Sequence, residues 1–335
     1  MNSAWLVHAP QGYGKWPLLQ RAAAALLCES PQSPAASAGE ASRLPSALTA
    51  HRACGHCASC ALLAAGTHPD FLIAAPEALW TQLGLHLADE PSARSEAKTA
   101  ASHDIRIEQI RRLNDWAVST SHRGRAKVAL VYPLDALNPA AANALLKTLE
   151  EPPEDVQFLL GAHRVDAVLP TLRSRCRLVA LPRPSMAEAQ SQLGPLGSAA
   201  AKEAVLAWSQ GAVYQPNPAA GLEWAEALID AVARQAALEV SSSVLPPPPD
   251  PMVGVETLLK MGSDLQRVLA GGAPIYLPQK AQALTAMASR TRPLRLTGAL
   301  RTWTLRQRLA GFPLNQALAS DALLLEFAQL FSRGD

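Results

Sequence analysis

The sequence predicts a parallel α/β unit in its first half and an all-helical remainder, on three observations. Short apolar runs of strand length recur at Trp5–His8, Phe71–Ala75, Val128–Tyr132, Val156–Leu160 and Leu178–Leu181. Helical patterns lie between them, and strands alternating with helices imply a parallel sheet with helices on both faces. Beyond Pro182 only helical periodicity remains, broken by Pro-containing stretches at 214–218 and 246–251.

Each element has a local reason. The run Trp5–His8 is followed by a Gly-containing loop, Pro10 to Gly14, and then by a helix over Pro17–Cys28 with Leu18, Leu19, Ala22, Ala25 and Leu26 on its apolar positions. Pro17 is compatible with a first helical turn, where its missing N–H is not needed. Residues 30–50, rich in Ser, Ala and Pro, read as a flexible insertion, and 86–103 as a second surface excursion. Ile107, Ile110, Leu113 and Trp116 recur at helical spacing, and the helix containing N-A-L-L-K-T-L-E-E is stopped by Pro152 and Pro153. This organisation predicts an α/β domain over 1–181, a small helical domain over 182–213 and a larger helical one over 214–335.

Composition narrows the classes. The chain has 335 residues and a net charge of +2, with 49% hydrophobic and 17% charged residues. That length suggests two or three domains, and near-neutrality excludes a polybasic nucleic-acid binder. No apolar run approaches a membrane span of about 18 residues, and the first residues show no basic-then-apolar signal pattern. A soluble, cytoplasmic, helix-rich protein is expected.

The five cysteines, 28, 54, 57, 60 and 176, do not suggest a disulfide framework: their number is odd and the chain is long. Cys54, Cys57 and Cys60 form C-x-x-C-x-x-C, a spacing that lets three thiolates converge on one cation from a tight turn. Structural zinc takes four such ligands in a tetrahedron. Cys28, ending the preceding helix, is the nearest thiol for the fourth place, with His51 and His56 as competitors.

Ala9–Trp16, A-P-Q-G-Y-G-K-W, stands between strand and helix, where a phosphate-binding loop belongs. The working motif is G-x4-G-K-[ST], whose backbone N–H groups and Lys cradle phosphates while the hydroxyl holds magnesium. Gly12, Gly14 and Lys15 are present, but Ala9 replaces the first Gly and Trp16 the hydroxyl. The strand Val128–Tyr132 runs into Pro133 instead of ending in acids, and Asp135 comes two or more residues too late. Nucleotide binding through Lys15 remains conceivable; hydrolysis is not expected.

N-A-L-L-K-T-L-E-E-P-P (Asn143–Pro153) with T-L-R-S-R-C (Thr171–Cys176) resembles the signature of bacterial sliding-clamp loader subunits of the AAA+ class. The Cys pattern followed by G-T-H-P-D (Gly66–Asp70) is similar to the zinc module of that family, placed here at about 28–66. The degenerate phosphate loop resembles its non-hydrolysing branch. The specific motifs cover roughly residues 4–181; the remainder matches only in pattern, through G-x-x-x-N (Gly311–Asn315) and D-A-L-L-L (Asp321–Leu325). The resemblance implies an AAA+ fold with a structural zinc, a small helical lid and a helical collar. It also implies a chain with no catalysis of its own, within a complex that is a DNA-directed DNA polymerase. Its implied partners are gamma/tau and delta subunits, with the beta sliding clamp and primer-template DNA reached through the complex. Arg175, in S-R-C, is implied to be an arginine finger serving a neighbour's nucleotide. Two departures stand out: the chain begins almost at its first strand, where the family carries a short preceding segment, and the stretch between Cys28 and Cys54 is longer than usual.

Other readings are weaker. An active ATPase with a variant loop is opposed by Trp16 and Tyr132-Pro133, and a zinc-containing DNA-binding module by the small net charge. Arg106, Arg111, Arg112, Arg123 and Arg125 are candidates to face DNA phosphates, with a solvated helix face the alternative.

Overall fold

The computed structural model describes residues 4–33, 45–85, 101–193, 198–214, 217–235, 240–308 and 315–331. Most of the 30–50 and 86–103 stretches, part of the break at 214–218, and all of G-x-x-x-N but Asn315 lie outside them. The chain divides into two compact units, Met1–Arg183 and Pro184–Asp335.

The first unit is built on five strands: β1 (Ala4–His8), β2 (Phe71–Ala74), β3 (Lys127–Val131), β4 (Val156–Ala162) and β5 (Arg177–Ala180). Their order is β2-β3-β4-β1-β5 and every pairing is parallel, with Leu6 opposite both Leu160 and Leu178. All five expected strands are present. Central β3 is buried at each position, whereas β5 at the edge is exposed at three of four. This is why the central strands read as unbroken apolar runs.

The helices of this unit are α1 (Lys15–Leu27), α2 (Ser46–Thr49), α3 (Ala58–Ala64), α4 (Trp80–Leu83), α5 (Ile107–Val118), α6 (Pro139–Glu150) and α7 (Pro170–Arg173). Strand side chains alternate between the two faces. Val7, Val128, Leu130 and Leu159 pack with Leu18, Leu19, Ala22 and Leu27 of α1. Leu6, Ala129, Val131, Phe158 and Leu160 turn the other way, onto Ile110 and Leu113 of α5, Leu145 and Leu149 of α6, and Leu172 of α7. Each fully buried Leu contributes about 1.5–3 kcal/mol of transfer free energy. Helices therefore cover both faces, as the alternation predicts.

The loop after β1 leaves the carboxyl edge of the sheet next to the point where strand order reverses, the usual ligand crevice of such sheets. The turns after β3 and β4 open on this edge. The segments entering β3 and β5, and the far end of α1, belong to the opposite, amino edge.

The second unit contains α8 (Met186–Gln192), α9 (Ala199–Ser209), α10 (Ala220–Arg234), α11 (Pro251–Leu269), α12 (Ala281–Ala288), α13 (Pro293–Arg308) and α14 (Gln316–Gln329), with no strand among the described residues. One apolar cluster runs from Ala189 and Leu193 through Trp208, Trp224 and Leu258 to Trp303 and Phe331. Asp250 caps α11, accepting from the Met252 N–H at 2.7 Å, with Pro251 in the first turn. At Gly262 a Cβ would lie 2.8 Å from Leu300 Cδ2, so the missing side chain allows the close packing of α11 and α13. Buried Asp264 receives the N–H groups of Ile275, Tyr276 and Leu277, fixing the segment after α11.

Candidate metal centre and phosphate loop

Cys28 follows the last residue of α1, Cys54 and Cys57 lie on the turn into α3, and Cys60 lies in its first turn. Their four sulfurs all fall within 4.8 Å of one another. Cys28 and Cys57 are 3.9 Å apart, and Cys54 and Cys60 4.0 Å. Four thiolates at 2.3 Å from a central zinc would be separated by about 3.8 Å, so this donor set fits a tetrahedral ion closely. The N–H groups of Cys54, Cys57 and Cys60 point at the sulfurs of Cys28, Cys54 and Cys57, at 3.2, 3.4 and 3.4 Å. The Cys57 thiol is pulled down to about 6 by the N–H groups of Cys60 and Glu29, whereas burial pushes that of Cys60 up to about 12. The competitor His56 instead turns its Nδ1 to the Cys54 carbonyl at 2.9 Å, and His51 is not in the cluster. These four cysteines could hold a metal ion.

Neighbouring residues fix the module; sequence reasoning placed Asp70 in a motif of the module and named Arg123 and Arg125 for another role, but missed Glu29 and Ser59. Glu29 accepts from the Ser59 N–H and hydroxyl and pairs with Arg123 at 2.6 Å. Arg125 donates to the Cys28 carbonyl. The loop bearing both arginines is held by Asp70, fully buried, which accepts from the N–H groups of His122 and Arg123 at 2.8 and 2.9 Å and from the Ser121 hydroxyl. These bonds hold the Asp70 carboxyl below its ordinary value against the opposing effect of burial, which is the largest single influence. Across the neck of the module, Gln32 and Arg52 exchange backbone hydrogen bonds of 2.9 and 2.8 Å. Arg123 and Arg125 thus have intramolecular partners, and Arg106 pairs with Glu77 at 3.2 Å, while Arg111 and Arg112 are exposed.

At the other end of α1, Gly12 and Gly14 adopt left-handed backbone angles, φ 81° and 86°, which only glycine takes readily. Lys15 is buried, and its Nζ donates to the Ala9 and Pro10 carbonyls at 2.7 and 2.8 Å. Burial lowers its ammonium to about 8, partly offset by Asp135. The Trp16 ring packs on Tyr132 with centroids 5.3 Å apart, and Tyr132 meets His163 edge-on at 5.3 Å. Tyr132 fits because position 161 is glycine; a Cβ there would be 2.6 Å from the ring. Asp135 Oδ1 accepts the His163 N–H at 2.8 Å. Burial and the Lys15 charge push the His163 imidazole down to about 4. Loop glycines and lysine are brought together, but the lysine bonds to its own loop and a row of rings adjoins it.

Arg175 follows α7 at the amino edge. Its Nη2 pairs with Glu150 Oε1 at 2.5 Å and its Nη1 donates to the Thr171 carbonyl at 3.0 Å. Cys176 is buried, its thiol raised to about 11 by burial and its Sγ 3.2 Å from the Leu172 carbonyl. It stands apart from the four-cysteine cluster.

A parallel α/β sheet with a loop of P-loop type after β1, and a four-thiol module appended to α1, defines the class: an α/β unit with a nucleotide-type loop and a cysteine module. The family model described as "DNA polymerase III, delta subunit" matches residues 1–185, and the chain belongs to that family. DNA polymerase III subunit delta' of Pseudomonas aeruginosa is 39% identical over 211 residues, covering 62% of this chain and 52% of the relative. The subunit of the same name from Escherichia coli K12 is 37% identical over 177 residues, covering 53% and 41%. The chain spans about half the length of the curated relatives it matches. A solved gamma subunit-related protein of DNA polymerase III from Thermotoga maritima aligns with 78% of this chain and 94% of its own, at 16% identity and a TM-score of 0.35. No helix among the described residues is long and apolar enough to cross a membrane.

Proposed function

We propose that this chain is the non-hydrolysing delta-prime subunit of a bacterial sliding-clamp loader. It assembles with gamma/tau and delta subunits to place the beta clamp on primed DNA. The observation that carries the non-hydrolysing part is the row Trp16–Tyr132–His163 beside a lysine bonded to its own loop. Indole cannot ligate magnesium, and Asp135, the carboxylate that acts on Lys15, holds the His163 N–H. Gly12, Gly14 and Lys15 form a structural turn in this reading, and nucleotide binding by this chain is not part of it.

Cys28, Cys54, Cys57 and Cys60 hold a structural zinc, whose chemistry is to cross-link the end of α1 to the turn into α3. Four protein ligands leave no open position for a reacting water. Arg175 is the arginine finger, acting in trans. It lies at the amino edge of the sheet and the phosphate loop at the carboxyl edge. Strands of four or five residues at about 3.3 Å per residue separate the two edges. A guanidinium can neutralise charge developing on a neighbour's phosphoryl group, worth several powers of ten in rate. Residues 182–213 and 214–335 serve as lid and collar.

The test mixes wild-type or Arg175→Ala chain with gamma/tau, delta, clamp and primed DNA. Arg175→Ala should assemble normally, since a surface truncation shifts stability by about 0.5 kcal/mol or less, yet depress ATP hydrolysis at the neighbouring site by about 1000-fold, the lower side of the range for such fingers. Unchanged assembly with an unchanged rate would return Arg175 to an ordinary surface arginine.

A further inference from the structure

The R-S-R-C-R run holds three arginines with three different attachments. Arg173 donates to the Val165 carbonyl at 3.4 Å, and Arg177 lies over the Trp5 ring at 5.1 Å. Among the described residues, Arg175 alone of the three is joined to a carboxylate, Glu150, by a 2.5 Å contact. That carboxylate is in an awkward place. Glu150 is the last residue of α6, followed by Glu151, and so lies at the negative end of the helix dipole beside a second acid. Local helix physics favours a cation there. The pair is partly exposed, with side-chain accessibilities of 33% for Arg175 and 49% for Glu150, and exposed pairs add little to stability.

We propose that Glu150 is the positioning residue for Arg175, an inference that rests on the trans-finger reading above. Glu150 holds Nη2 while the Thr171 carbonyl and the Ser174 hydroxyl, at 3.0 and 3.4 Å, hold Nη1. A guanidinium has five N–H donors, and these contacts engage three. The other two are enough for a bidentate grip on phosphoryl oxygens. The long Arg side chain, otherwise free among many rotamers, is thus ordered before a neighbour's nucleoside triphosphate arrives. α6 ends at Glu150 and Pro152-Pro153 follow it, so the carboxylate sits on a helix end instead of a loop.

The experiment compares the reconstituted loader carrying Glu150→Ala, Glu150→Gln, Arg175→Ala and the double variant Glu150→Ala/Arg175→Ala. Glu150→Ala replaces a charge at the negative helix end with the best helix former, so folding and assembly should persist. It should lower kcat for ATP roughly ten- to a hundred-fold, the scale of a misoriented group, and leave KM within about twofold. Glu150→Gln keeps an acceptor oxygen and should recover most of the rate. In the Arg175→Ala background, Glu150→Ala should change nothing further. Equal losses from Glu150→Ala with and without Arg175, or full activity of Glu150→Ala beside an impaired Arg175→Ala, would overturn the positioning role and leave the finger intact. Full activity of Arg175→Ala would remove the finger reading, and this proposal with it.

Discussion

The two ends of α1 carry two sites of different completeness. At its start, left-handed glycines and Lys15 give the outline of a phosphate loop, but rings stand beside it and the lysine bonds to its own backbone. At its finish, Cys28 completes a donor set in which all four sulfurs converge. Thirteen residues at 1.5 Å each put about 20 Å between the two. A catalytic loop needs a metal hydroxyl, an acid and open space together, so losing one group removes its use. A structural metal site has its full effect on the fold, whatever happens at the other end of the helix.

The sharpest way to break this contrast is Cys28→Ser. Metal analysis of metal-replete protein should fall from one equivalent of zinc to well below it. Loss of an ion held at a thousandfold its Kd would cost about 4 kcal/mol of unfolding free energy. A variant that retains both full metal and full stability would give the fourth place to another ligand.

A second measurement concerns Lys15 at the other end. Its folded-state value of about 8 lies below the ordinary 10.5, so the unfolded chain binds more protons between those values. Stability due to this group should therefore rise with pH across that window, by on the order of 3 kcal/mol at most for a shift of this size. Lys127 is also lowered by burial, so the quantity to compare is the slope of wild type minus that of Lys15→Met in urea unfolding at pH 7, 9 and 10. Equal slopes would mean that Lys15 stands in water, as a phosphate-reading lysine does.

The smallest effect is expected from Trp16→Thr. It restores the hydroxyl but not the acid, and should leave the isolated chain without Mg-dependent ATP turnover while removing a ring contact worth about 1 kcal/mol. Turnover above background would make the loop an impaired site instead of a filled one.

Much of the first unit was legible because its sheet is buried on both faces and therefore writes itself as apolar runs. The ends of elements were less so. The strand expected over Val128–Tyr132 begins at Lys127, whose buried Nζ caps the end of α5 through the carbonyls of Trp116 and Ser119, a polar residue that periodicity assigns to the surface. The helix expected from Pro17 begins at Lys15, because Gly14 makes the turn before it. The cysteine spacing pointed to a metal, yet the bracing roles of Glu29, Asp70, Arg123 and Arg125 could not be read, since their partners lie 30 to 97 positions away in sequence. Trp16 and Tyr132 stood out in the sequence as departures from a working loop, but their contact with each other and with His163 could not be read until the sheet brings the ends of β1, β3 and β4 together.

The Gln32–Arg52 bridge makes the metal module indifferent to its own length. The chain is pinched shut at the neck, on the protein side of whatever lies between, so the spacing of the four sulfurs is set without reference to the number of residues beyond the pinch. Closing a longer loop costs only about 0.6 kcal/mol per doubling. Length can therefore be added between the neck and α2 while the four sulfurs stay where they are and Leu48 of α2 keeps its place against α1.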